Sequence, residues 1–270
     1  MIIVILIFLG LALGSFLNAY VWRSFDLSKK GKYAKLSVWN GRSICPNCHH
    51  QLNTVDLVPV FSWLFLKGKC RYCHKPISIQ YPLVEAATAI LFVISYVYWT
   101  HGFSAEGVVL FVFWLIFILG FVALTIIDLK WRLLPNKIVL PLIFLVILQV
   151  IIELMFFNKG LNLILSSLWG VLFSAGLFYG IFVISDGKWI GGGDVKLAIV
   201  LGILLGGPFE AILMIFLASL IGCLIALILI GFKKLKRNSL IAFGPLLMTS
   251  TYICYLFGPH IINWYKNLII

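Results

Sequence analysis

The sequence is 270 residues long, 62% hydrophobic and only 11% charged, with a formal net charge of +12. A water-soluble domain carries about 25% charged and about 45–50% apolar residues, so this chain has too few polar groups to cover a surface in water. A mean hydropathy of +1.09 makes lipid its main solvent. The excess of basic residues is gathered in a few short connecting segments, which argues for membrane topology and against nucleic acid.

The first segment, Ile2 to Trp22, reads as a permanent helix. No basic residue precedes its apolar stretch and no small-residue cleavage site follows it, so it does not resemble a removable signal. Roughly 20 apolar residues suffice to span a hydrocarbon core of about 30 Å. Further segments are expected at 83–100, 107–127, 138–157, 163–185, 195–206, 209–231 and 241–257. The fold class is therefore an all-α polytopic membrane protein of about eight transmembrane helices. Residues 23–82 form the one sizeable polar region, a small cytoplasmic domain between the first two helices, and 83–270 form the membrane core. No internal repeat or low-complexity linker is evident.

Lys and Arg set the orientation. Arg23, Lys29, Lys30, Lys32, Lys35, Arg42, Lys67, Lys69, Arg71 and Lys75 fall in the polar region. Lys130, Arg132 and Lys137, then Lys188 and Lys196, then Lys233, Lys234, Lys236 and Arg237 fall in loops on the same side. Only Lys159 and Lys266 face the other way. The basic side is cytoplasmic, and both termini are expected outside.

The sixth segment is short. Val195 to Leu205 offers eleven residues before Gly206-Gly207-Pro208, about 17 Å of helix. Irregular backbone within a membrane survives only against protein or a wet cavity, so a polar group is expected beside it. Asp194 stands there.

In the polar region, Cys45-Pro46-Asn47-Cys48 and Cys70-Arg71-Tyr72-Cys73 are two Cys-x-x-Cys pairs separated by 21 residues. This pattern suits tetrahedral zinc held by four thiolates, a closed and therefore structural site. A redox pair or unrelated thiols is the competing reading, although a cytoplasmic setting disfavours stable disulfides. His49, His50 and His74 are expected as solvated loop residues. Cys223 and Cys254 lie in apolar segments, as small hydrophobes do.

Only nine acids occur. Asp26, Asp56, Glu106, Asp186 and Glu210 sit in loops or at segment ends, where solvation explains them, and Glu153 is expected to reach water near the outer interface. Asp128 ends the third apolar segment, and Asp194 opens the sixth after Gly191-Gly192-Gly193. Both fall at the cytoplasmic boundary, where ionisable groups are costly and usually mark function. Two carboxylates sharing one proton can act as base and acid, as amide hydrolysis requires. Gly191 and Gly193 would permit an unwound backbone and close substrate approach. The alternative is two independent boundary aspartates, one of them an N-cap.

Taken in order, several elements resemble the type IV prepilin peptidases, the prepilin leader peptidase/N-methyltransferases. They are Gly14-Ser15-Phe16-Leu17-Asn18, Arg42 to Cys48, Asp56 to Ser62, Ile77-Ser78, Tyr81-Pro82-Leu83-Val84-Glu85, Asp128 with Leu134-Pro135-Asn136, Gly191 to Leu197, and Phe243-Gly244-Pro245. The likeness spans nearly the whole chain, with small departures such as Leu134 where Ile is more usual.

The resemblance implies a bifunctional enzyme. It would cleave the basic leader of prepilins or pseudopilins after glycine on the cytoplasmic side of a bacterial cytoplasmic membrane. It would then methylate the new N-terminal residue with S-adenosylmethionine. It makes Asp128 and Asp194 the catalytic pair, gives zinc to Cys45, Cys48, Cys70 and Cys73, and puts methyl transfer in 23–82 near Tyr81–Glu85. No Rossmann-type glycine fingerprint accompanies this. Glu85 is either functional or a buried partner of Asn18 or Arg23. Lys196 either positions substrate and tunes Asp194 or is an interfacial charge. A peptidase without methylation, an ion-coupled transporter and a membrane-anchored zinc-knuckle scaffold are the competing functions.

Overall fold

The structure, a computed structural model, describes residues 1–26, 43–157, 159–233 and 242–269. Lys29, Lys30, Lys32, Lys35, Arg42, Lys234, Lys236 and Arg237, used above for orientation, lie outside the described residues. The chain divides into two compact units, Met1–Val97 and Tyr98–Ile270.

In the first unit, α1 (Ile2–Val21) is followed by the short helix α2 (Phe61–Phe65) and then by α3 (Gln80–Val97). Helices α1 and α3 pack along one another because Gly10 and Gly14 stand one turn apart on α1. A Cβ at Gly10 would lie 2.5 Å from the Ala89 Cα, and one at Gly14 would lie 2.8 Å from the Glu85 Cα. Small residues at such spacing let membrane helices approach backbone to backbone. The last turn of α1 widens into a π turn over Trp22–Asp26.

The second unit is a bundle of α4 (Ala105–Trp131), α5 (Asn136–Phe156), α6 (Leu161–Val171), α7 (Leu177–Ile184), α8 (Gly192–Leu205), α9 (Pro208–Gly231) and α10 (Gly244–Ile269). A π turn over Leu172–Gly176 joins α6 to α7. Helix α8 is the centre of the bundle: Leu197, Ala198, Val200 and Leu201 are wholly buried, and α5, α6, α7, α9 and α10 pack against it. The Ser174 hydroxyl in the π turn reaches the carbonyls of Gly170 at 2.7 Å and Ala198 at 3.0 Å. Gly170 and Gly202 bring α6 and α8 so close that neither has room for a Cβ. The element that carries Asp194 is thus fixed from several sides.

The all-α membrane architecture holds, and no strand occurs among the described residues beyond two isolated bridges. Among the described residues, six helices are long and apolar enough to cross a membrane: Ile2–Phe25, Gln80–Val97, Ala105–Trp131, Asn136–Phe156, Leu161–Ile184 and Pro208–Gly231. Helix α8, with 14 residues, measures about 21 Å and is too short to join them. Helix α10 is long but less apolar. Helix α9 packs on α10 through one side, where Ala211, Met214 and Ala218 are buried, and leaves Phe209, Ile212, Phe216 and Leu220 exposed. Lipid is the natural neighbour of such a surface.

Candidate functional site

Asp128 sits in the last turn of α4, which ends when Arg132 adopts a left-handed conformation (φ 53°) and donates its N–H to the Asp128 carbonyl. Its carboxylate is buried and accepts the backbone N–H of Gly244 at the start of α10. Arg132 lies within electrostatic reach. The N-terminal turn of α10 is therefore a built part of the Asp128 environment. Trp114 of α4 stacks on Tyr255 of α10 at 4.1 Å and holds the two helices in register.

Asp194 is three residues into α8, whose N-cap is Gly191. Its carboxylate accepts the Gly191 N–H, which is the return arm of a capping box. One alternative and one expectation are corrected here. Asp194 is not the N-cap, and Gly192 and Gly193 are helical rather than unwound. Gly191 has φ −77°, so the glycines do not serve a left-handed turn. What Gly193 provides is room, since a Cβ there would lie 3.0 Å from the Leu134 Cβ.

Leu134 is the joint of the site. Its side chain also comes within 3.4 Å of where a Gly244 Cβ would stand. The loop after α4, the Gly191–Gly193 turn and the start of α10 meet around it. This convergence brings the two aspartates within electrostatic reach of one another. Lys196 is exposed and donates to the Asn136 side chain at 3.0 Å, so it ties α8 to the start of α5.

In the sequence, Phe243-Gly244-Pro245 is only a motif, and nothing there assigns Gly244 a role. A Cβ at Gly244 would lie 2.7 Å from the Asp128 Oδ2. A Cβ there would have to push the carboxylate aside, and a misplacement of about 1 Å at a reacting group costs about 100-fold in rate. Gly244→Ala is expected to lower turnover by about that factor with little change in helix content, as read by circular dichroism and a cleavage assay.

In the first unit, the cysteines form two knuckles of the same build. In one, Cys45 donates its N–H to the His50 carbonyl and accepts from His49; in the other, Cys70 donates to the Lys75 carbonyl and accepts from His74. His49 and His74 both have positive φ, and the bridges Ile44–Gln51 and Lys69–Pro76 close the two loops. A local repeat thus exists where none was evident in the sequence. It is hidden because little but the Cys-x-x-Cys-His frame is shared.

The four cysteine sulfurs lie within 4.8 Å of one another, with Cys45 and Cys73 at 3.9 Å. They could hold a metal ion. Tetrahedral bonds of about 2.3 Å would place the sulfurs about 3.8 Å apart, close to the spacing present. Burial opposes ionisation of Cys70. The N–H groups of Cys73 and Tyr72 and the neighbouring Cys45 and Cys73 thiols outweigh it and bring the Cys70 thiol down to about 7. The three histidines are exposed and outside the sulfur cluster.

Asp56 corrects another expectation. Its side chain is 3% exposed, not solvated, and it accepts from Arg71 Nε at 2.7 Å and from the Tyr72 hydroxyl at 3.1 Å. Burial would raise its carboxyl, but Arg71, the Asn53 N–H and Tyr72 outweigh that and hold it below the usual range. A depressed carboxyl stabilises above the unfolded value of about 3.9 and loses that contribution as pH falls through the folded one. Asp56→Asn should weaken the knuckle by about 1–3 kcal/mol at neutral pH. The gap to wild type should narrow below about pH 4, as read by hydrogen exchange over 43–77.

Glu85 is also buried, but its partners are not Asn18 or Arg23. It accepts the Val60 N–H at 2.7 Å and bonds the Ser15 hydroxyl, while Asn18 donates to the Tyr81 carbonyl at 3.1 Å. Glu153, expected near water, is buried and accepts from Gln149 at 2.9 Å.

The fold and these sites define a multi-pass α-helical membrane protein with two aspartates brought near one another at one end of its second unit and a four-cysteine knuckle in its first. Residues 8–99 match the bacterial peptidase A24 N-terminal domain, and residues 114–228 match the type IV leader peptidase family. The chain is 33% identical to the prepilin leader peptidase/N-methyltransferase of Stutzerimonas stutzeri, over 94% of this chain and 90% of the relative. It is 32% identical to that of Pseudomonas aeruginosa (96% and 91%) and 31% to that of Aeromonas salmonicida (98% and 94%). No solved structure matches significantly. The chain belongs to the type IV leader peptidase family.

Proposed function

We propose that this protein cleaves the basic leader of type IV prepilins or pseudopilins after glycine and then methylates the new N-terminal residue. The observation that carries the reading is the convergence of Asp128 and Asp194 around Leu134 and Gly244 in a chain of this family. One aspartate, ionised, takes a proton from water as that water attacks the scissile carbonyl. The other, protonated, gives its proton to the departing amine. Water is added across the amide, and the pair ends with the same number of protons. Gly191 and Gly193 support the site, and Lys196, through Asn136, positions the start of α8.

The polar region 23–82 serves methyl transfer, with zinc on Cys45, Cys48, Cys70 and Cys73 as its structural metal. S-adenosylmethionine supplies the methyl group. Glu85 is satisfied by Ser15 and Val60, which suits it to supporting this region rather than to holding the methyl donor. The chain crosses the bacterial cytoplasmic membrane about eight times, α8 and α10 included, with the aspartates at the cytoplasmic face.

The test is co-expression with a prepilin-like substrate that carries a basic leader, a glycine and a following Phe. Intact mass spectrometry should find the leader gone and one methyl group gained. A cleaved but unmethylated product would remove the second activity. An uncleaved one would remove the first.

A further inference from the structure

Helix α2 shows the wrong face to water. Phe61, Leu64 and Phe65 occupy one side of it and are 50%, 57% and 84% exposed. Val55, Leu57 and Val58 in the preceding turn are exposed as well. The opposite side is the one held down: Trp63 donates to the Ile77 carbonyl at 3.2 Å and covers Gly68. The apolar face is thus displayed rather than left over from poor packing.

Two further features say what covers it. The Val60 N–H, next to Phe61, donates to Glu85, which lies in the second turn of the membrane-crossing helix α3. That bond fixes α2 at the depth where α3 enters the bilayer. Lys67 and Lys69 follow α2 directly, with Lys75 beyond; all three are exposed and none pairs with an acid among the described residues. An apolar face beside unpaired lysines fits an anionic lipid surface.

We infer that residues 54–66 are an in-plane membrane anchor: the Phe61, Leu64 and Phe65 face enters the headgroup and acyl boundary while Lys67, Lys69 and Lys75 hold anionic headgroups. The anchor sets the four-cysteine knuckle against the membrane instead of leaving it free in the cytoplasm. The inference rests on the membrane reading of the chain.

The experiment replaces Phe65 with photoreactive benzoylphenylalanine in the full-length protein, reconstituted in vesicles of equal phosphatidylcholine and phosphatidylglycerol. A second protein carries the same group at Phe216 on α9. Irradiation should give lipid adducts at both positions by mass spectrometry. At Phe65, phosphatidylglycerol should be favoured at least about twofold, and Lys67→Gln with Lys69→Gln and Lys75→Gln should remove that preference. Lipid adducts at Phe216 with none at Phe65, or a protein adduct at Phe65, overturn the anchor and leave the membrane reading standing. Adducts at neither position overturn both. Equal capture of the two lipids at Phe65 in the otherwise unsubstituted protein overturns the role of the lysines.

Discussion

Asp128→Asn and Asp194→Asn should each reduce prepilin cleavage by at least about 1000-fold while leaving the protein folded in the membrane. The substitution keeps the size of the side chain and its ability to accept a hydrogen bond. The Gly244 N–H can still bond position 128, and the Gly191 N–H can still bond position 194. What is lost is the proton. A carboxamide cannot take one from water at neutral pH, nor pass one to an amine. Because water attack and amine departure each need one member of the pair, removing either carboxylate should stop the cycle, and the double variant should be no worse than a single one. The measurement is the rate of leader removal in detergent or vesicles, with protein content and helicity checked for each variant. Retention of more than roughly a tenth of the wild-type rate by either one would overturn the pair. An ionophore that collapses ion gradients should leave cleavage unchanged, which separates this enzyme from an ion-coupled transporter.

Both aspartates could be marked from the sequence because each stands at the end of an apolar segment, where the sequence reading puts a membrane boundary. That is a local signal, and local signals were legible throughout. The long apolar runs located six membrane-length helices to within a few residues, whereas the last segment, expected at 241–257, is a helix that runs on to Ile269. The Cys-x-x-Cys pairs located the sulfur cluster. What local pattern does not encode is which distant segments meet. The sequence offers no reason for Gly244 to donate to Asp128, or for Leu134 to sit against both Gly193 and Gly244. Asp56 and Arg71 are each ordinary loop residues until the knuckle folds them together. Glu85 was recognisable as a buried acid, yet its partner is the backbone of Val60, a group with no signature in any sequence. The glycine run misled for a related reason. Glycine tolerates both unwound and helical backbone, and the capping bond from Gly191 to Asp194 favours the helix. Helix α8 so gains a turn.

Removing one cysteine should have the second large effect, confined to the knuckle. The sulfurs of Cys45 and Cys70 are buried and stand within 4.8 Å of those of Cys48 and Cys73. This region has little apolar core of its own, because Phe61, Leu64 and Phe65 of α2 are exposed and only Trp63 turns inward. Metal binding supplies about 10–16 kcal/mol of apparent stability in small zinc modules, far more than the Asp56–Arg71 pair can provide. The purified protein should therefore carry one zinc per chain by elemental analysis. Cys70→Ser, or treatment with a strong chelator, should remove it and open residues 43–77 to protease. Methylation should fall with the knuckle. Leader cleavage should survive, because Asp128, Leu134, Gly193, Asp194 and Gly244 all belong to the second unit. If cleavage and methylation fall together while the second unit stays helical, the knuckle also serves the peptidase, and its metal is needed for more than local folding. If Cys70→Ser keeps its zinc and its protease resistance, the four-thiolate site is wrong.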